Sequence, residues 1–528
     1  MNEYLIFRKW APGWLIFITL FSMIIPSMVV FFLPMANVSA AAGYYGCEPA
    51  DIQFAVILFY AGYAGFYSLE RRFFSYLATK EYFVIFTFLQ IVSTVFCFSI
   101  SDVYLLYPVR FIQGMLFACT VNLSLTLLFT RFHSEVAREV GFSVMFGLLL
   151  IAMPLNNLIS ADLIDAFDFN TLYLHASFLY IPGFVLLLVT MHTVRLHRRF
   201  PLSYLDWQSF VLYSIVLILI GYMLVYGQEH YWLQDPAFRY ALAALLLCLS
   251  VYLIRQHHIK RPYTDLRVFS FSNFVIGMTI LYTMYICRFA SGLTNSFFTA
   301  VLKLDPRHLS YINLANIAGL VAGVVMACML ILRKWNVRYI WMSGFSLLLV
   351  YHARMFFLFA TQADEDNYYV PLMIQGLGVG VIMVPAIVYA ISSVPASMGA
   401  SASAIGLTIR YLGFCTSIAV MNYYELYSRG QHYSALQDTL TRTNPLVRRT
   451  LAAYAQRLIS HGMPPGAAAK TANKLLINAA QTQTQMRYAM DYYEVMAYIL
   501  LAMILLIALI PYLNRTVVDL RSRDVAPV

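Results

Sequence analysis

Residues 14–34 read WLIFITLFSMIIPSMVVFFLP, an uncharged run preceded by Arg8 and Lys9. A bilayer core about 30 Å thick needs about 20 apolar residues in a helix to cross it, and this run is long enough. A secretory h-region is only about 7–15 residues. Although Val38-Ser39-Ala40 faintly resembles a cleavage site, the segment therefore reads as an uncleaved first span.

Working outward, similar runs recur near 52–68, 82–100, 104–129, 139–159, 173–191, 207–227, 238–253, 270–290, 313–332, 339–359, 369–392, 401–424 and 492–513, the ninth extending through Ser291-Gly292 towards Leu302. Together with the first they predict an all-α polytopic membrane protein with 14 transmembrane helices. Composition agrees. The chain of 528 residues is 61% hydrophobic and 11% charged, too few charges to cover a water-exposed surface of this size.

The net charge of +10 invites a nucleic-acid reading, but the basic residues are not gathered on one face of a soluble domain. They sit in alternate short loops instead. If the N-terminus is cytoplasmic, the inside segments hold Arg8, Lys9, Arg71, Arg72, Lys80, Arg131, Arg138, Arg195, Arg198, Arg199, Arg255, Lys260, Arg261, Arg267, Arg333, Lys334, Arg338, Arg515, Arg521 and Arg523. The short outside loops hold only Lys303 and Arg307, with Arg239 at a span edge, and collect Asp162, Asp165, Asp168, Asp364, Glu365 and Asp366. This is the positive-inside pattern. It predicts both termini in the cytoplasm and lipid, not nucleic acid, as the partner.

Residues 425–491 form a long polar loop on the outside. Asn444-Pro445 supplies a helix start, Leu451, Tyr454 and Leu458 repeat at helical spacing, Gly462 stops the helix, and Pro464-Pro465 restarts the chain towards the last span. The loop reads as a solvated helical hairpin or as a docking surface. The seven cysteines show no metal or redox spacing. Phosphate loops, Gly-x-Ser-x-Gly and His-Glu-x-x-His are absent too, which argues against an enzyme, a cofactor or an ATP-driven pump in this chain.

Arg110 and Gln113 lie one turn apart in the fourth span, followed by Gly114. An arginine at mid-membrane costs at least ~2.5 kcal/mol, so it must meet a partner or a cavity. Arg110-Phe111-Ile112-Gln113-Gly114 resembles the fourth-span motif of the major facilitator superfamily, whose arginine is linked to proton transfer. Further stretches resemble its fourteen-span drug/proton antiporters of the EmrB/QacA type. These are Leu205-Asp206-Trp207, Arg261-Pro262-Tyr263-Thr264-Asp265-Leu266-Arg267-Val268-Phe269, Gly376, Gly378, Gly380 and Pro385, Val394-Pro395 through Ser403 followed by Arg410, and Gln485-Met486 with Asp491.

The resemblance implies a major-facilitator fold. Residues 1–191 would form one six-helix bundle, 192–269 two additional helices with their linkers, and 270–528 a second bundle carrying the long loop. It also implies alternating-access export of amphipathic compounds, with a periplasmic membrane-fusion adaptor and an outer-membrane channel as partners. Uptake or facilitated passage of an organic anion, and a transport-inactive scaffold or sensor, are the competing readings.

The chain also departs from that family. Ile25 and Val30 stand where a polar first-span residue is usual, and the fifth-span antiporter motif is reduced to Gly147 and Pro154 before Asn156-Asn157. None of the 25 acidic residues falls mid-span, so proton coupling stays open. The transport or coupling candidates are Arg110, Gln113, Arg410, Asp491 and His352; no metal site is expected. Gly114, Gly376, Gly378, Gly380 and Pro385 are read as close packing or as a sliding seam. Arg288 and Arg354 read as snorkelling side chains near outer ends. A cavity with arginines and no carboxylate is expected to prefer neutral or anionic amphiphiles over lipophilic cations.

Overall fold

A computed structural model describes residues 6–74, 76–129, 137–194, 205–259, 261–441 and 443–510. Arg131, Arg195, Arg198, Arg199, Lys260, Arg515, Arg521, Arg523 and both chain termini lie outside the described residues. Among those described, 14 helices are long and apolar enough to cross a membrane. In chain order the helices are α1 (Gly13–Ala36), α2 (Val38–Tyr45), α3 (Pro49–Phe74), α4 (Thr79–Ser99), α5 (Val103–Phe129), α6 (Ala137–Ala166), α7 (Thr171–Thr190), α8 (Trp207–Tyr226) and α9 (Pro236–His258). There follow α10 (Ser272–Arg288), α11 (Ser291–Ala300), α12 (Pro306–Leu332), α13 (Val337–Leu358), α14 (Asp366–Ser392), α15 (Gly399–Tyr423), α16 (Arg429–Thr439), α17 (Pro445–Ser460) and α18 (Pro465–Leu509).

Three helices outrun their apolar segments. α12 starts at Pro306, directly after Asp305. α15 does not stop at residue 424; a π-helical turn over Tyr424–Ser428 carries it into α16. α18 runs 45 residues, so the last span is the end of a rod that begins at Pro465. Hydropathy marks only the part of a helix facing lipid, and these extensions are polar. In α17 the Asn444 side chain accepts from the Leu446 N–H at 3.0 Å, and Gly462 at φ +88° ends the turn that follows. Leu451, Tyr454 and Leu458 are half-buried where α17 lies along α18.

α1 packs on α3, α5, α6 and α7, with α4 between α5 and α7. Likewise α14 packs on α10, α12, α13 and α15, with α18 on α13. The two groups meet where α6 touches α12 and α14, and where α3 touches α15. α8 fills the groove beside that second contact. The Tyr411 hydroxyl donates to the Leu217 carbonyl at 2.6 Å, and Asn422 Nδ2 donates to the Val225 carbonyl at 3.1 Å. α9 is held to α8 by Arg255 and Asp206 at 2.9 Å and otherwise leaves most of its surface exposed.

Glycines set the closest helix pairs. A Cβ on Gly62 would sit 2.1 Å from the Phe111 carbonyl oxygen, and one on Gly114 would sit 1.9 Å from that of Phe59, so α3 and α5 touch backbone to backbone. α12 and α14 repeat the arrangement. A Cβ on Gly319 would lie 2.0 Å from the Met373 carbonyl oxygen, and one on Gly376 would lie 2.3 Å from that of Asn316. Gly376→Ala is therefore expected to cost about 1–3 kcal/mol through overpacking. It should lower the thermal denaturation midpoint in detergent, whereas Gly430→Ala, with nothing within 4 Å of its Cβ position, should not. Equal midpoints for the two variants would contradict this packing.

Candidate functional site

Arg110 is wholly buried in α5. Its Nη1 donates to the Val30 carbonyl at 3.0 Å and to Gln113 Oε1 at 2.9 Å, and its Nη2 donates to the Phe31 carbonyl at 2.8 Å. The Val30 carbonyl is available for a sequence reason. Its helical donor would be the N–H of residue 34, and Pro34 has none. The guanidinium carbon also lies 4.6 Å from the centre of the Phe59 ring. Gln113 thus belongs to the same cluster, and Gly114 adjoins it on the α3 contact. With an apolar residue at position 30, the arginine clasps backbone rather than a carboxylate.

Arg288 was expected to snorkel at an outer end, and that expectation is corrected. It is only 7% exposed, and its Nη2 donates to the Leu150 carbonyl of α6 at 2.8 Å. The device is the same, since Pro154 leaves Leu150 without its helical donor. This tie, however, runs between the two groups of helices. The Arg288 carbonyl accepts from Gln375 Nε2 at 3.0 Å, and Gln375 Oε1 accepts from Asn316 Nδ2 at 2.6 Å. Sequence reasoning passed over Gln375 and Asn316. A usable signal was present, because Ile374-Gln375-Gly376 repeats Ile112-Gln113-Gly114. Arg354 is exposed, in keeping with snorkelling.

Arg410 is buried on α15, with its guanidinium carbon 5.2 Å from the Phe146 ring centre. Its Nε reaches the Gly406 carbonyl at 3.4 Å, and it lines a cavity of about 50 Å³ with Tyr63, Tyr67 and Phe142. His352 is buried on α13, its Nδ1 2.8 Å from the Leu348 carbonyl, and its ring packs on Tyr351 and Tyr493. Asp491 stands apart from these. Its Oδ2 accepts from Ser428 at 3.0 Å and lies 2.7 Å from His432 Nε2, fastening α16 to α18. Gly376 and Gly380 face α12, while Gly378 faces Gly344 and Leu348 of α13. Pro385 is buried further along α14. The structure therefore brings Arg110, Gln113 and Gly114 together and leaves the remaining candidates at separate places.

Between the two groups lies a cleft of about 330 Å³ lined by residues of both, among them Asn37, Gln53, Asn157, Asn295, Asn422 and Glu425. It opens where α1 ends and α3 begins, the end that the charge pattern assigns to the outside. Glu425, read from sequence as a loop residue, is exposed at this cleft because the helix continues past 424. A wider groove of about 850 Å³ between α8 and α9 is lined mainly by apolar side chains such as Val211, Leu212, Val251 and Ile254, with Gln208, Arg255 and His258 beside them. Among the described residues no group of three His, Cys, Asp or Glu side chains could hold a metal ion.

Comparison with known proteins fits this geometry. The sequence profile of the Major Facilitator Superfamily matches residues 15–418. The colistin resistance protein EmrB of Acinetobacter baumannii is 23% identical over 382 residues, covering 70% of this chain and 71% of its own. The fold is similar to that of a POT family transporter crystallised with 5-aminolevulinic acid, with a TM-score of 0.59 at 11% identity, covering 93% of this chain and 96% of that one. It is also similar to a bacterial homologue of the human lysosomal transporter Spinster, with a TM-score of 0.54 at 11% identity, covering 98% and 99%.

Arg110→Lys is a direct test of the clasp. An ammonium cannot reproduce the planar fork that reaches two successive carbonyls and Gln113, and each charged hydrogen bond lost costs about 1.5–3 kcal/mol. The variant should melt at lower temperature in detergent; an unchanged midpoint would contradict the clasp.

Proposed function

The chain belongs to the Major Facilitator Superfamily, and from that premise we propose that it is a secondary active transporter of the inner membrane that exports amphipathic compounds by alternating access. The observation that carries this reading is the cleft, whose walls come from both helix groups and mix apolar with amide side chains. Such a lining suits a substrate with an apolar body and a polar end. The relative named for colistin resistance supports export.

In this reading residues 1–191 and 270–528 act as two bundles that rock about the contacts of α6 with α12 and of α3 with α15. α8 and α9 are the insertion between them, and both termini lie in the cytoplasm. Gly376, Gly378 and Gly380 fix α14 within its own bundle, since their contacts join it to α12 and α13, while Pro385 lies buried further along the helix. Gly114 does the same for α5 on α3. α16, α17 and the outer part of α18 form the face that would receive a periplasmic adaptor leading to an outer-membrane channel.

Proton coupling is the finer part of the proposal. Glu425, at the cleft, and Glu70, which accepts from the Tyr82 hydroxyl at 3.0 Å near the far end of α3, are the carboxylates placed to take part. Arg410 and His352, like Arg110 and Arg288, are buried ionisable groups within the spans.

Proteoliposomes separate the parts. Protein-dependent movement of a fluorescent amphiphile is expected, accelerated by an imposed pH gradient. A rate equal to that of protein-free vesicles would overturn transport, and a rate indifferent to the gradient would remove proton coupling alone.

A further inference from the structure

Beside the Arg288–Leu150 tie lies a cavity of about 30 Å³ between α6, α10, α12 and α14. Its lining is rich in hydrogen-bond donors. Arg288 reaches it, Asn313 Nδ2 is buried there without a hydrogen-bond partner, and no carboxylate lines it. Asn313 itself is 5% exposed. A neutral carbonyl is a weak counterpart for a guanidinium, because hydrogen bonds between two ionised groups are shorter and stronger. A void of ~10–15 Å³ admits one water-sized group, so this one has room for the oxygens of a single head group. Met153 and Asn157 line both this cavity and the cleft of about 330 Å³, so the two spaces adjoin.

We propose that this pocket binds the oxyanion of an amphipathic substrate (a carboxylate, sulfonate or phosphate ester) and that Arg288 exchanges the Leu150 carbonyl for it. The inference rests on the transporter reading and names the substrate's charged end. Asn313 donates to the second oxygen. When the exchange occurs, the hydrogen bond joining α10 to α6 is replaced by one to the ligand, so binding loosens the contact between the bundles. Arg110 uses the same proline-freed carbonyl without offering a site. It is 0% exposed and already has Gln113 as a third acceptor. Of the two arginines held by a proline-freed carbonyl, Arg288 is the one that borders a void and can trade partners.

The test is calorimetric titration of the full chain in neutral detergent with naphthoate, its uncharged amide, and formate. Naphthoate should bind at least about ten-fold more tightly than the amide, a difference of about 1.4 kcal/mol. Arg288→Met should abolish naphthoate binding, and Arg288→Lys should weaken it. Pro154→Ala should tighten it, because the alanine N–H takes the Leu150 carbonyl and frees the guanidinium. That last result is one a purely structural arginine would not produce, and it stands even if Arg288→Met fails to fold. Equal affinities for acid and amide, or a naphthoate affinity unmoved by both Pro154→Ala and Arg288→Lys, would overturn the proposal. Formate binding as tightly as naphthoate would overturn the substrate assignment in favour of a free small anion. Intact naphthoate binding without flux in vesicles would count against the transport reading and leave this site standing.

Discussion

Hydrocarbon offers no hydrogen bonds, so each polar group placed in it must find its partner inside the protein. In this chain the constraint is met by pairing two kinds of residue that are each costly alone. Proline within a helix strips one carbonyl of its donor, and arginine brings more donors than a helix interior can usually satisfy. Val30 with Arg110, and Leu150 with Arg288, turn both costs into a helix–helix bond. The first pair fastens α5 to α1 within one group of helices. The second reaches from α10 to α6 across the two groups.

Close backbone approach does the rest of the positioning. With lipid as apolar as the helix surfaces, packing supplies the attraction between helices. Gly62 and Gly114 let α3 and α5 touch, and Gly319 and Gly376 do the same for α12 and α14. These pairs hold helices together within each group, while α6 on α12 and α3 on α15 make the contacts between the groups. α8 lies beside one of those contacts, with bonds from Tyr411 and Asn422 on it. The cleft lies between two groups of helices that also pack directly on one another through α6 and α12.

The spans were legible because a period of apolar residues about 20 long has few other physical readings, and the helix starts at Asn444-Pro445 and Pro465 were legible from their caps. The run from Pro465 into the last span agrees with the proline restart, whereas the overshoots at Pro306 and past residue 424 were not legible, because polar helical turns leave no hydropathy signal. Arg110 with Gln113 could be read from spacing alone. Arg288 could not be placed. Whether an arginine near a span end points outward or inward depends on which helix faces it, and here the deciding partner is a carbonyl 138 residues away, exposed by a proline whose effect is local in sequence but felt by another helix. Asp491 shows the opposite limit. The family motif marks its position, while its contacts with Ser428 and His432 arise from a helix that hydropathy missed.

The central claim is that Arg110 and Arg288 are each held by a carbonyl that a proline has released. A double-mutant cycle on Pro34→Ala and Arg110→Met, followed by thermal or denaturant unfolding in detergent, measures that dependence directly. If the claim holds, removing the arginine costs less once alanine supplies its own N–H to Val30, with a coupling of about 0.5–3 kcal/mol. Strictly additive losses would show that the guanidinium and the proline act independently, contrary to the account.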